Sequence, residues 1–367
     1  MVYNNQFMKT LRAAVFLALM AILLASCAKI PVETPPELYW PFPPEKPRVK
    51  FTDIIAGSID VTGVRSNKFT QLLFGEEKEV NFIKPSFAAK RGDILYVTDI
   101  KFIHVYDFGK GKYTALGLGL FGNITGIAVS ADGSKIFAGD SGHKTVFFFD
   151  TKAGKSDRLR APDYSFDSPG GLAVDDLNGR LIVPDAKKHS VSVWSFDGKL
   201  LFSIGKRGNK PGEFNFPYSA AVDKQGRIYI VDSGNFRVQV FDKDGGVLGY
   251  FGAVGTVAGS FARPKGIALD SDGNIYVVDA AFSNFQIFDP EQGVFLAVGS
   301  NGSDPGKFSL PLGIAIDEKD RIYVVDQMNK RIQVFQYLKE DITPQAGPNP
   351  PTEKESSPEP PGQEPQP

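Results

Sequence analysis

The chain has 367 residues, of which 42% are hydrophobic, with 38 glycines and 30 phenylalanines, enough to build a large β core. Its formal net charge is −1, so the overall charge gives no indication of nucleic-acid binding. Cys27 is the single cysteine, which excludes an internal disulfide.

Residues 1–27 have the pattern of a bacterial export signal. A short basic segment, Met8-Lys-Thr-Leu-Arg12, precedes an apolar run that is long enough for a secretory signal and short for a bilayer span. Leu24-Ala-Ser-Cys27 resembles the lipobox, which implies cleavage before Cys27 and diacylation of that cysteine. An uncleaved anchor or a chance cysteine are the alternatives. With no aspartate after Cys27, the resemblance implies the periplasmic side of the envelope, at the outer membrane of a two-membrane bacterium.

Residues 28–47 form a proline-rich segment, which we predict to be an extended, semi-rigid spacer. It contains three aromatic residues, Tyr39, Trp40 and Phe42. They either pack on the outside of the folded body or dock a partner. We favour packing, because large aromatic side chains seldom remain exposed.

The stretch from Val49 to Ile55 resembles the outer strands that follow each of the later repeats, and the last repeat has no such strand after Gln336. We therefore predict that it lies beside Ile332–Phe335 as the outermost strand of the last repeat. Such pairing closes the ring of repeats and removes exposed sheet edges. Residues 58–81 are predicted to be a long loop or a short helix.

From residue 82 to residue 337 a pattern of three short strands and two polar turns occurs six times. An aspartate ends the second strand of every copy, at intervals of 41, 45, 47, 47 and 47 residues: Asp99, Asp140, Asp185, Asp232, Asp279 and Asp326. This period predicts a propeller or a solenoid. The first strands carry small residues: alanine recurs in all six, and two residues earlier stand Gly126, Gly171, Gly266 and Gly313, with Ser219 and Phe87 as departures. Small residues favour the propeller, because strands that converge on one axis leave little room.

The repeated pattern, F-x-x-P-x-G-I-A followed by D-x-x-N-x-R-x-Q-V-F, resembles the NHL repeat. It is clearest in Phe214–Asp242 and Phe308–Phe335. The resemblance covers about residues 82–337 and implies an all-β, six-bladed β-propeller with four antiparallel strands in each blade, within a domain at 48–338. NHL propellers bind proteins, RNA or small ligands, and a few relatives are enzymes, so the fold does not choose the function.

In a propeller, loops between blades share one face with the loops between second and third strands. We call this the loop face and expect a ligand there, around the mouth of the axis. The candidate ligand-binding residues are four at the mouth (Ser86, Thr125, Tyr218 and Lys265), two in a basic loop (Lys206 and Arg207) and four after the aspartates (Asn235, Arg237, Asn329 and Arg331).

Two groups of residues permit a metal hypothesis. The six aspartates form a possible ring of Ca²⁺ ligands, but their recurrence in every blade favours acceptors of backbone N–H bonds in their own turns. His104, His143 and His189 match in number the zinc triads of amidating-lyase propellers, which NHL-like propellers resemble. Their unequal spacing after the aspartates favours surface polar residues. We therefore predict no cofactor, with calcium or zinc as the alternative.

Residues 339–367 are rich in proline and glutamate, and we predict a solvated tail. The whole sequence indicates a lipid-anchored envelope protein whose partners are the membrane and either an envelope protein or a small ligand, with no nucleic acid. It favours a non-catalytic binding module. The alternatives are a metal-dependent hydrolase, lactonase or lyase of the gluconolactonase or amidating-lyase kind, and a purely structural envelope protein.

Overall fold

The structure is a computed structural model that describes residues 37–42, 44–62, 79–290 and 293–339. The predicted export segment with Cys27, the first part of the proline-rich segment and the predicted tail beyond Lys339 lie outside the described residues. So do residues 63–78, within the predicted loop or short helix. The described part of that segment begins with a one-turn helix, α1 (Ile59–Thr62). Within the described ranges, no helix is long and apolar enough to span a bilayer.

Six antiparallel sheets, one for each repeat, form the fold. In blades one to five the four strands follow one another in chain order from the axis outwards, and in blade six three strands do so. The strands of blades one to three are β3 (Ala88–Arg91), β4 (Ile94–Thr98), β5 (Ile103–Asp107), β6 (Lys112–Leu116), β7 (Ile124–Val129), β8 (Lys135–Asp140), β9 (Thr145–Asp150), β10 (Lys155–Arg158), β11 (Ala173–Asp175), β12 (Arg180–Asp185), β13 (Ser190–Ser195) and β14 (Leu200–Ile204). Those of blades four and five are β15 (Pro217–Val222), β16 (Ile228–Asp232), β17 (Arg237–Phe241), β18 (Val247–Phe251), β19 (Pro264–Leu269), β20 (Ile275–Asp279), β21 (Asn284–Asp289) and β22 (Gly293–Val298). Blade six contains β23 (Pro311–Ile316), β24 (Arg321–Asp326) and β25 (Arg331–Tyr337).

Each inner strand contacts the inner strands of both neighbouring blades, and β23 contacts β3, so the ring is closed. Blades one and four therefore lie on opposite sides of the axis. The prediction of an all-β, six-bladed propeller with four-stranded antiparallel blades is confirmed.

The last blade is completed by the start of the described chain. A strand from Val49 to Ile55, β2, pairs antiparallel with β25, from Val49 opposite Tyr337 to Ile55 opposite Ile332. The predicted closure is therefore confirmed. A further strand, β1 (Tyr39–Trp40), pairs with β2 and makes this sheet five-stranded, which the sequence did not predict.

The three aromatic residues of the proline-rich segment differ in burial. Trp40 is buried and meets the ring of Phe335 edge-on, at 5.7 Å between centroids. Phe42 is 61% exposed. The packing interpretation therefore describes Trp40, which lies with the partly buried Tyr39 in the strand that joins the sheet, but not Phe42, which lies beyond that strand.

A buried phenylalanine precedes the inner strand of every blade and fixes the loop that leads into it: Phe82, Phe121, Phe166, Phe214, Phe261 and Phe308. In the loops before blades four to six, this ring lies against a glycine with positive φ, such as Gly252 at +89°. A Cβ atom on that glycine would overlap the ring of Phe261. The Gly–Phe pairs thus give these loops one shared shape.

Candidate functional site at the axial mouth

The axial mouth lies on the loop face, where each inner strand begins. Two residues after the repeated proline, which is Ile124 in blade two, five blades carry a glycine or serine, and blade one carries Phe87. The Phe87 ring is buried and stacks on Tyr218 of the opposite blade, with 5.8 Å between centroids. A Cβ atom at Gly171 would lie 2.5 Å from this ring, so the small residues of other blades make room for it. The two rings form a floor beneath the mouth.

The side chain of Lys265 lies against the Tyr218 ring of this floor. The ammonium nitrogen of Lys265 lies 3.8 Å from the centre of the Tyr218 ring, a cation–π geometry. Burial, together with the smaller effect of the nearby Arg263, lowers the pKa of Lys265 to about 8, while Asp279 acts in the opposite direction. Burial also raises the pKa of Tyr218 to about 12, opposed by Arg263.

The N–H groups of the Lys265 ammonium remain available as hydrogen-bond donors. Within the part of the chain that the structure describes, no carboxylate or other hydrogen-bond acceptor pairs with it. A half-buried cation without a counter-charge is costly, and an anionic group that enters the mouth would pair with it. Arg263, exposed beside the mouth, adds a second positive charge.

The other two mouth candidates, Ser86 and Thr125, join neighbouring blades. The Ser86 hydroxyl lies 3.3 Å from the carbonyl of Ile124, to which it donates, and the Thr125 hydroxyl donates to the carbonyl of Pro169. Sequence analysis missed a residue with the same role: the Gln327 amide donates to the carbonyl of Pro85 at 3.0 Å, between the last blade and the first. The signal was a polar residue directly after the repeated aspartate.

The four candidates after the aspartates hold loops to their own blade. The Arg237 guanidinium donates to Asp232 at 2.9 Å and to two carbonyls of the basic loop, those of Lys210 and Glu213. The Asn235 amide donates to Gly208 of that loop at 2.9 Å. In blade six, Arg331 and Asn329 make the corresponding bonds with Asp326 and with the loop before β23. Because both guanidinium groups are buried, these residues shape the loop face and do not line the mouth.

The basic-loop candidates are solvent-exposed on the loop face. The Lys206 side chain is 78% exposed, and its ammonium group lies 3.6 Å from Glu213. Arg207 is exposed at the tip of the same loop. Neither residue belongs to the floor formed by Phe87 and Tyr218.

The six repeated aspartates are buried and accept hydrogen bonds within their own blades. Asp232 accepts the backbone N–H of Asn215 at 2.7 Å, and Asp326 accepts that of Ser309 at 2.8 Å. The others accept N–H groups of the loop before their own inner strand: Asp99, Asp140, Asp185 and Asp279. Over the described ranges, no group of three histidine, cysteine, aspartate or glutamate residues could hold a metal ion.

The expectation of surface positions is wrong for two of the three histidines. His104 is fully buried and His189 is 8% exposed, whereas the His143 side chain is 44% exposed. His104 lies five residues after its aspartate, as the arginines do in blades four and six, and its Nε2 atom is 3.3 Å from Asp99. His143 takes the asparagine position, with Nδ1 2.9 Å from Asp140. His104 is buried because it takes the place of the arginine in the repeat's own network, whereas the buried His189 accepts the backbone N–H of Phe216 at 3.2 Å.

A wide cavity lies on the opposite face, where no site was predicted. It measures about 820 Å³ and is lined by the turns between first and second strands of blades four to six. In the middle turn, Asp270 accepts the backbone N–H of Asn274 at 2.9 Å and the Tyr276 hydroxyl at 2.9 Å. This turn, whose sequence resembles the front of a calcium loop, is thus a hairpin turn closed by its own aspartate.

These observations define an all-β, six-bladed β-propeller whose axial mouth is closed from beneath by the rings of Phe87 and Tyr218. The family model DUF5128, described as a six-bladed β-propeller, matches residues 172–251 and 266–341. These two segments lie in blades three to six. No curated protein matches the chain.

Solved propeller structures share the fold at low sequence identity. A structural genomics protein of unknown function from Bacteroides thetaiotaomicron is 18% identical over 70% of each chain, with a TM-score of 0.57. An auxiliary nutrient binding protein from the same organism is 16% identical over 70% of each chain, with a TM-score of 0.56. Virginiamycin B lyase from Staphylococcus aureus is 14% identical over 70% of this chain and 95% of its own, with a TM-score of 0.52. At such identities the similarity shows the fold alone.

Proposed function

We propose that this protein is a lipid-anchored, extracytoplasmic propeller of the NHL type that binds a ligand bearing an anionic group at the axial mouth of its loop face. The observation that carries the proposal is the half-buried Lys265 ammonium, stacked on Tyr218 without an acceptor among the described residues. Binding, rather than turnover, is the role that these contacts support.

The geometry suits a carboxylate or phosphate group that descends onto the floor. The ammonium is fixed from one side by the Tyr218 ring, so its donors are available to the other. Partial burial strengthens a charge-assisted hydrogen bond, because water competes less there. Phe87 supports the Tyr218 ring from below, so the ring that positions the ammonium is itself held in place.

A metal-dependent hydrolase or lyase has less support. Such an enzyme needs ligands that converge on the axis, and His104, His143 and the six aspartates are engaged inside their own blades. One structural neighbour carries the name of a nutrient binding protein and another that of a lyase. The arrangement around Lys265 matches the first kind of role, so we propose only the binder.

The ligand proposal is tested by titrating the mature protein with short carboxylates, phosphate monoesters and, as neutral controls, the corresponding amides. We expect some of the anions to raise the melting temperature of the wild type and of Lys319→Met, an exposed lysine in the turn between β23 and β24 on the opposite face. Lys265→Met should lose that response. Equal stabilisation of Lys265→Met, or no response to any anion, would contradict the proposal.

The lipid anchor is tested separately, because its residues lie outside the described ranges. Mass spectrometry of the mature N-terminus should find a diacylglyceryl group on Cys27, and Cys27→Ser should abolish it. An unmodified Cys27 in protein taken from bacterial membranes would contradict this part of the proposal.

A further inference from the structure

Three loops that lead into blades four, five and six have the same backbone. We name them the basic loop (205–213), the apolar loop (252–260) and the third loop (299–307). In each, the phenylalanine that follows donates its N–H to the second loop residue at 2.8 Å: Phe214 to Lys206, Phe261 to Ala253 and Phe308 to Ser300. Residues 47 positions apart therefore occupy equivalent places.

Equivalent places in these loops carry very different side chains. One outward position holds Arg207, Val254 or Asn301, and another holds Lys210, Val257 or Asp304. Val254 is 70% exposed and Val257 is 71% exposed. The same positions are polar in the neighbouring loops, so packing within the fold does not require valine there. Two exposed valines on one tip form a small apolar patch that packing within the fold does not explain.

Positive charge borders the apolar loop on the side of the basic loop, whereas the third loop carries both Asp304 and Lys307. Residues 252–262 contain no charged side chain, and Arg263 follows immediately. The adjacent basic loop presents exposed Lys206, Arg207 and Lys210. Phe216, 49% exposed, follows that loop by three residues. Apolar side chains bordered by lysine and arginine are the composition of surfaces that sit in the interface of an anionic bilayer.

The chain reaches the folded body beside the third loop. The Trp40 ring lies against Gly306, where a Cβ atom would come within 2.7 Å of it, and Leu38 packs at the same place. Leu38 follows Cys27 by 11 residues, a tether of at most about 40 Å. This step rests on the lipid anchoring proposed above. The anchor would hold the edge of the loop face near the bilayer.

We infer that the apolar loop inserts into the surface of the lipid bilayer to which the protein is anchored. Val254 and Val257 enter the interfacial region, while Arg263 and the basic loop contact anionic headgroups. The acyl chains supply the attachment and the loop supplies the orientation. The loop face, with its axial mouth, is then turned towards the membrane.

The inference is tested on the acylated full chain in vesicles of phosphatidylglycerol and phosphatidylcholine. Because Cys27 is blocked by acylation, Val257→Cys provides a single thiol for an environment-sensitive fluorophore. The matched control is Leu177→Cys, in the turn between β11 and β12 on the opposite face, where Leu177 is also 70% exposed. We expect the label at position 257 to shift to the blue and to be quenched by brominated lipid, and the label at position 177 to remain aqueous. Equal, aqueous behaviour of both labels would overturn the inference.

A second variant separates the loop from the anchor. The mature chain from residue 27, made as Cys27→Ser, should still bind phosphatidylglycerol vesicles weakly, and less at high salt. The pair Val254→Asp and Val257→Asp should reduce that binding at least about tenfold, whereas Leu177→Asp should not. Unchanged binding by the double variant, or protection of the loop by a soluble envelope protein instead of lipid, would overturn the inference. Failure of the anchor itself would show as an unmodified Cys27, whatever the loop does.

Discussion

The ring of Phe87 stacks on the ring of Tyr218 across the propeller axis, with 29° between their planes. Phe87 belongs to blade one and Tyr218 to blade four, and the other blades carry glycine or serine at the level of Phe87. One large side chain fits only because its counterparts are small. This pair closes the axis beneath the mouth and carries Lys265 on its upper side.

Replacing Phe87 should destabilise the whole ring. We expect Phe87→Ala to lower the free energy of unfolding by about 3–5 kcal/mol, because it leaves a cavity between inner strands. Urea-induced unfolding followed by tryptophan fluorescence measures the change. Leu118→Ala, on a side chain that is 70% exposed, should change it by less than about 0.5 kcal/mol. Similar effects of the two substitutions would show that Phe87 does not close the axis.

Anion binding at the mouth should weaken as pH rises above 8. Burial lowers the pKa of Lys265 to about 8, so Lys265 loses its proton above that pH in the free protein. A bound anion raises the pKa of Lys265 and keeps it protonated. The affinity should fall by up to about tenfold per pH unit until the pKa of the complex is reached. Calorimetric titration from neutral to alkaline pH measures this, and Lys265→Arg should bind without the decline. A flat profile for the wild type would contradict the role of Lys265.

The same pKa shift predicts an opposite trend for stability without ligand. An unfolded lysine keeps its proton to about pH 10.4, whereas the folded Lys265 releases it near pH 8. The unfolded state therefore binds more protons between these values, and this residue's contribution to stability rises with pH across that window. Lys265→Met should remove the rise, which the difference between the two unfolding curves measures. An identical pH dependence in both proteins would show that the folded pKa is normal.

Removing a repeated aspartate should lower the free energy of unfolding, because a buried cation is left without its carboxylate partner. Asp326 is fully buried and pairs with the Arg331 guanidinium at 2.8 Å. We expect Asp326→Ala to cost about 3–5 kcal/mol of unfolding free energy. Asp304→Ala, which breaks an exposed ion pair with Lys307, should cost at most about 1 kcal/mol. Adding Arg331→Met to Asp326→Ala should recover part of the loss; no recovery would assign the cost to something other than the unpaired guanidinium.

Closure should depend on the packing of β2 against β25. The Phe51 ring is 2% exposed and meets Phe335 edge-on at 5.6 Å. Phe51→Ala should cost about 3–5 kcal/mol and accelerate hydrogen exchange in β25 above that in β16. Phe42→Ala, on an exposed side chain, serves as the control. Equal exchange in the two strands would contradict a closing role for β2.

Regular features of the fold were readable from the sequence, and its irregular contacts were not. The repeat period and the missing strand after Gln336 predicted the blades and the closure by β2, because each strand is coded by a local pattern. The strand at Trp40 escaped prediction, since proline density masks a short strand that depends on β2 for its partner. His104 was misjudged because its aspartate, Asp99, defines its environment only once the blade has folded.

The candidate site divides in the same way. Tyr218 and Lys265 were predicted at the mouth from their places after the prolines, and the structure shows their mutual contact there. Arg237 and Asn235 were predicted as ligand candidates, but their N–H groups donate to backbone carbonyls of the basic loop. Sequence position identified exposed turns but not which polar groups the fold had already paired.

The sequence by itself determined that six equivalent β units exist and which strand completes the last, because period and strand pattern are properties of neighbouring residues. Only the tertiary structure decided that Phe87 and Tyr218, 131 positions apart, meet across the axis and support Lys265. That contact arises when ring closure brings opposite blades together, a geometry that no local pattern of residues encodes.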